Sequence, residues 1–179
     1  RVLSLVQPES FEAAARAILA ARSVAAFGVG ASGLVAYDLT QKLFRLGVPC
    51  SFAFDPHLQA TAACGLRPDD VAIAVSYSGR TESVVRAAEE ARRSGAKVLA
   101  VTILGGTPLA KLADVVLPIP ATEAVFRQGA SMSRITQLVV VDILYATLVS
   151  RDIERAIPLI ERSMRATHNS AEKGRYNAF

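Results

Sequence analysis

The five residues Val71 to Val75 are apolar without a break. The next six, Ser76-Tyr-Ser-Gly-Arg-Thr81, lead directly into a helical pattern that runs from Thr81 to Ser94 and closes at Gly95. An uninterrupted apolar strand is what a parallel sheet covered on both faces requires. Val24 to Val29 repeats the arrangement. It ends among Gly28, Gly30 and Gly33 and passes into a helix expected over Ser32 to Leu46, which Gly47 and Pro49 stop. Further strands are expected at Pro49 to Phe54, Lys97 to Ile103 and Val115 to Ile119. Helices are expected at Pro8 to Ala21, Pro56 to Ala63, Leu109 to Leu112, Ser131 to Ser150 and Asp152 to Ala166, ahead of a polar tail, Asn169 to Phe179. Strands alternating with helices in this way predict an α/β fold, a three-layer sandwich with a five-stranded parallel sheet between two helical layers.

Length and composition narrow the class. At 179 residues the chain is one domain, with enough surface buried on folding to need no staples. Hydrophobic residues make up 51%, which excludes an intrinsically disordered chain. Cys50 and Cys64 are the only cysteines and lie in no CxxC spacing, so neither a disulfide scaffold nor a metal site is expected. The net charge of +4 suits an anionic ligand but is too small to mark a nucleic-acid surface. Arg92-Arg93 and the arginines of the last helix read as solvated faces. The longest apolar stretch, Ile135 to Val149, is shorter than the roughly 18 residues a membrane span needs and contains Gln137 and Asp142. With no secretory leader at its start, the chain is expected to be cytoplasmic, with no membrane partner. Because it opens on Arg1, it is expected to be part of a longer protein.

In open α/β sheets, ligands bind beyond the carboxyl ends of the strands, so the two turns carry the functional reading. Gly28-Val-Gly-Ala-Ser-Gly33 has the GxGxxG form, and Asp55 follows 22 positions after Gly33, as in a dinucleotide site. The alternative is a glycine turn that only lets strand and helix pack closely, with Ser32 as a cap or a ligand contact. Ser76-Tyr-Ser-Gly-Arg-Thr81 places three aliphatic hydroxyls and Gly79 immediately before a helix start. Unpaired N–H groups and a partial positive charge at such a start favour phosphate. Capping by Ser78 or Thr81 is the plain alternative. Two serine-bearing turns on neighbouring strands suit a small phosphorylated ligand better than a dinucleotide.

The strings GVGASGLVAYDLTQKLFRLG (28–47), FDPHLQA (54–60), AVSYSGRTESVV (74–85), TPLAKLADVVLPIP (107–120) and FRQGASMSRITQLVVVDILYATL (126–148) resemble the sugar isomerase (SIS) domain. Within that family they are most similar to the effector domain of RpiR-type transcriptional regulators. The resemblance implies a flavodoxin-like sheet and a sugar phosphate held on the hydroxyl turn by Ser76, Ser78 and Thr81, with Tyr77 and Gly79. Gly30, Ala31, Ser32 and Gly33 would line the other side. Glu123, Arg127, Ser131, Ser133 and Arg134, before or at the start of the long helix, would complete the pocket. It also implies a linker over residues 1–22, the SIS domain over 23–150, and a C-terminal helix and tail of the same domain over 151–179. DNA would be bound only through an N-terminal helix-turn-helix domain absent from this chain, and the assembly would be a homodimer or a dimer of dimers.

The residues leave an aldose–ketose isomerase as the alternative. Such an enzyme needs a positioned base, for which Glu123 and His57 are the candidates; His168 reads as a surface residue. Isomerases of the arabinose 5-phosphate type carry a lysine where this chain has Ala31, and differ from its RQGASMSRITQ segment before the long helix. The expected function is therefore a phosphosugar sensor without cofactor or metal. The apolar helix Ile135 to Val149 belongs either to the monomer core or to a subunit interface.

Overall fold

A computed structural model describes residues 7–120 and 131–175, with the side chains of residues 131, 132 and 168–175 outside that description. The elements are α1 (Pro8–Ala20), β1 (Val24–Phe27), α2 (Gly30–Arg45), β2 (Cys50–Phe52), α3 (Pro56–Cys64), β3 (Val71–Val75), α4 (Glu82–Arg93), β4 (Lys97–Ile103), α5 (Pro108–Leu112), β5 (Val115–Ile119), α6 (Ser131–Arg151) and α7 (Ile153–Arg175). The five strands form one parallel sheet in the order β2-β1-β3-β4-β5. This is the flavodoxin-like order, and its topological switch point lies between β1 and β3.

Strand side chains alternate between two cores, because successive residues of a strand point to opposite faces. Ile73, Val75, Leu99, Val101, Leu117 and Ile119 face α1, α2 and α6. Ala72, Ala74, Val98 and Ala100 face α3, α4 and α5. The first face carries the larger side chains and meets Leu39, Leu43 and Leu144 of its helices. The second is largely alanine and lets Ala87, Ala88 and Ala91 of α4 approach closely. Helix α1 belongs to the first core through Phe11, Ala14, Ala15 and Ile18. At the amino end of β3, the buried Asp70 carboxylate accepts from Arg67 N (2.9 Å) and pairs with Arg22 (2.6 Å).

Two helices depart from the sequence expectation. Helix α2 begins at Gly30, two residues before Ser32, because Gly30 adopts φ +55° and turns the chain directly into the helix. Helix α7 continues beyond Ala166 to Arg175, since after Pro158 the sequence contains no further proline to stop it. By length and composition, Ser133–Arg151 of α6 is long and apolar enough to cross a membrane, unlike the shorter Ile135–Val149 run. Its Val140, Val141, Leu144 and Leu148 are buried in the first core, so α6 contributes to the core within one chain. Lys42 of α2 ties the two helices together by pairing with Asp142 of α6 (2.8 Å) and with Asp38. Burial by itself would lower the Lys42 pKa, but the hydrogen bonds to the two carboxylates outweigh it and the pKa is raised.

Leu39→Ala, at a fully buried position, is expected to destabilise the domain by about 2–5 kcal/mol. Leu34→Ala, five residues away on the exposed side of the same helix, is expected to stay within about 0.5 kcal/mol. Urea unfolding of the two variants measures the contrast.

Candidate functional site

The turn after β1 is shaped by glycines with different tasks. A Cβ on Gly28 would lie 2.7 Å from the Ser32 carbonyl oxygen, and one on Gly33 would lie 3.1 Å from the Gly28 oxygen. These two glycines allow strand end and helix start to touch. Gly30 is required for its backbone conformation instead, and nothing lies within 4 Å of the position its Cβ would take. The turn is clamped from the side by Gln59, which is only 2% exposed. The Gln59 amide accepts from Gly28 N (3.0 Å) and donates to Gly28 O (2.8 Å) and Ala53 O (2.7 Å). A carboxamide suits this task because it offers donors and an acceptor together. The sequence hint was its spacing, since Gln59 and Ala63 are four apart and form the buried face of α3.

Ser32 caps nothing, because it stands in the first turn of a helix whose capping position is Val29. Its hydroxyl is paired with Gln137 of α6 instead, a residue 1% exposed that the sequence reading had given no role. Asp55, the acidic position of the dinucleotide pattern, accepts from His57 N (2.8 Å) and Leu58 N (3.0 Å) and so caps α3. Local capping accounts for that carboxylate.

The turn after β3 is braced by β4 and α5. Ser76 N donates to Val101 O (3.1 Å), Ile103 N to Tyr77 O (3.3 Å), and Leu109 N to Gly79 O (3.1 Å). Gly79 has φ +62°, and a Cβ on it would stand against the hydroxyls of Thr102 and Thr107. Both threonines are buried and both were missing from the sequence reading. Their roles depend on neighbours distant in sequence, which spacing alone does not reveal. Ser76, 1% exposed, shares a hydrogen bond of 3.0 Å with Thr81. The pair uses only one of its two protons for that bond. Ser78 Oγ accepts from Arg80 N (3.2 Å), which engages a lone pair rather than the proton.

The four helices that follow β1 to β4 differ at their starts. α3 is capped by the Asp55 side chain, and α5 by the Thr107 hydroxyl, which accepts from Ala110 N (3.2 Å). α2 and α4, which begin at the switch point, have no side-chain cap among the described residues. Thr81 occupies the capping position of α4 with extended backbone, yet its hydroxyl is turned to Ser76. First-turn N–H groups need a partner from outside the helix. Two such starts, with the hydroxyls of Ser76, Ser78 and Thr81 at one of them, offer donors whose chemistry suits a compact anion.

The fold thus brings the first turn of α2, with Gly30, Ala31, Ser32 and Gly33, beside the turn after β3 that carries Ser76, Tyr77, Ser78, Gly79 and Thr81, because β1 and β3 are neighbours in the sheet. Ser133 and Arg134 are half-buried on the first turn of α6. Glu123 and Arg127 lie outside the described residues, as do the side chains of Ser131 and His168. His57 is exposed at the start of α3, and its imidazole has no hydrogen-bond partner among the described residues. No cluster of three or more His, Cys, Asp or Glu able to hold a metal occurs among the described residues. Burial pushes the Cys50 thiol up to about 11, against the opposing hydrogen bonds to Thr40 and Ser51.

The family model of the SIS domain matches residues 17–147. An uncharacterised HTH-type transcriptional regulator of Caldanaerobacter subterraneus subsp. tengcongensis is 39% identical over 172 residues, which cover 93% of this chain and 61% of that protein. Among solved structures, the NanR protein of Vibrio vulnificus complexed with ManNAc-6P has a TM-score of 0.88 at 27% identity, covering 94% of this chain and 63% of its own. The sugar isomerase domain of an RpiR transcription factor from Sphaerobacter thermophilus has a TM-score of 0.81 at 33% identity, covering 92% of this chain and 90% of its own. The chain therefore spans under two thirds of the length of the regulator and of NanR.

Gly30→Ala introduces backbone strain alone, whereas Gly79→Ala adds contact with Thr102 and Thr107. The first is expected to cost about 1 kcal/mol and the second about 2 kcal/mol or more, by urea unfolding. The neutral Cys50 thiol is favoured in the fold, so from about pH 9 to 11 the unfolded chain binds fewer protons and stability falls as pH rises. Cys64, which is exposed, is expected to react with a thiol-directed disulfide reagent well before Cys50 at pH 8, as a time course with the Cys64→Ser variant would show.

Proposed function

This chain belongs to the SIS domain family, and on that footing we propose that it is the phosphosugar-sensing effector domain of a transcriptional regulator of carbohydrate metabolism. The observation that carries the reading is the pair of helix starts at the β1/β3 switch point that, among the described residues, lack side-chain caps, with unshared hydroxyl capacity beside them. A phosphate placed there receives first-turn N–H groups of α4 and the hydroxyls of Ser76, Ser78 and Thr81. The sugar extends toward Gly30, Ala31 and Ser32, where the missing Gly30 side chain leaves room. Ser133 and Arg134 at the start of α6 are the proposed contacts on the far side, and Glu123, Arg127 and Ser131, of which the structure describes no side chain, are proposed as further ligand contacts. The similarity to a regulator longer than this chain supports a DNA-binding domain elsewhere in the whole protein. NanR, a structural relative, was solved with a sugar phosphate bound. The functional unit is a cytoplasmic homodimer or dimer of dimers in which ligand shifts the balance between two arrangements. Such a shift requires different affinities for the two.

A sensing role rather than isomerisation is favoured by His57, whose exposed imidazole has no hydrogen-bond partner among the described residues, since a general base must be held within reach of the proton it takes; the other candidate base, Glu123, lies outside the described residues. Phosphorus NMR of the domain with glucose 6-phosphate, fructose 6-phosphate and N-acetylmannosamine 6-phosphate tests both points. One of these is expected to broaden or shift without forming a product peak over hours. Ser78→Ala is expected to weaken its binding about tenfold, the loss of one charge-assisted hydrogen bond. Unchanged affinity in that variant, or no binding at all, overturns the reading. Conversion of one sugar into another would identify an isomerase.

A further inference from the structure

Gln137 is a buried amide on the long helix, and it holds the one hydroxyl of the first ligand turn. Its Oε1 lies 3.2 Å and its Nε2 3.1 Å from Ser32 Oγ. A hydroxyl has a single proton and two lone pairs. In this arrangement Ser32 donates to Oε1 and accepts from Nε2. Exchanging the two amide atoms leaves the argument unchanged, since both flank the same oxygen.

A ligand oxygen that takes the Ser32 proton turns it away from Oε1. The Nε2 bond survives, because it uses a lone pair of Ser32. Oε1 is then left buried without a donor, and an unsatisfied buried acceptor costs more than an ordinary hydrogen bond contributes. A ligand made only of acceptors cannot repair this. One with a hydroxyl or amide N–H close to its anion would supply Oε1 with a donor in place of Ser32, and the open space at Gly30, where nothing lies within 4 Å of the position a Cβ would take, leaves room beside Ser32 for such a ligand.

We propose that Gln137 is a specificity-determining residue that makes the site prefer an anion with a neighbouring hydrogen-bond donor, such as a sugar phosphate, over a bare phosphate, with Ser32 as the relay. This rests on the phosphosugar reading of the two turns. It extends that reading to a residue on α6, outside both turns.

The test compares, in the full 179-residue chain, the affinity for the tightest-binding of the three sugar phosphates above with that for methyl phosphate, which has no donor beside its anion. The wild-type chain is expected to prefer the sugar phosphate. In Gln137→Leu the ratio of the two affinities is expected to fall about tenfold, with methyl phosphate bound as well as before or better. Gln137→Met, which fills a similar unbranched volume, is the second variant and is expected to behave alike, with thermal melting confirming that each is folded. A ratio preserved within twofold, or equal loss of both ligands, overturns the role of Gln137 and leaves the phosphosugar reading standing. Failure of the wild-type chain to bind any of the three sugars overturns that reading itself.

Discussion

Burial of both faces of the sheet is the constraint on which the rest of the structure depends. β1 and β3 are buried along their whole length, and β4 along all but its ends. No polar side chain can be placed along such strands without a partner. Chemistry is therefore confined to the strand ends, and at the carboxyl ends the following helices present their positive N-termini. The strand order then selects which ends matter. Where β1 and β3 lie side by side, the chain departs in opposite directions, and the gap between the two departing helices is the natural crevice.

The crevice is held rigid by groups that never face it. Gln59 pins the first turn through both backbone groups of Gly28, and Thr102 and Thr107 form a floor under Gly79. Such bracing would favour binding of a small anion as proposed, because donors already in place need no ordering when a ligand arrives. The contrast among helix starts follows the same logic. Asp55 and Thr107 cap the outer helices, while Thr81, equally able to cap, points its hydroxyl at Ser76. The Ser32–Gln137 pair adds a link from the crevice to α6, the helix whose partner Lys42 also ties it to α2.

Much of this was legible in the residues. Val71–Val75 and Val115–Ile119 were readable strands because continuous apolar runs of that length bounded by turn residues fit a two-sided sheet. The hydroxyl turn was readable because three hydroxyls beside one glycine exceed what capping needs. Ser32 was less so. Its position suggested a cap or a ligand contact, and the left-handed conformation at Gly30 removes the first by starting the helix early and carrying the hydroxyl inside the first turn. Asp55 showed the limit of spacing, since the distance to Gly33 fitted a dinucleotide site while the carboxylate is engaged two and three residues ahead.

The sequence by itself determined the layers, the five strands and the two turns, because periodicity and local turn chemistry depend on near neighbours. Only the tertiary structure decided which turns meet, which hydroxyls are free of capping duty, and which distant residues hold them. The reason is that hydrogen-bond assignments across the fold depend on side chains separated by tens of residues. Ser32 and Gln137, far apart in the chain and 3.1–3.2 Å apart in space, become partners only when α2 and α6 pack on the same face of the sheet.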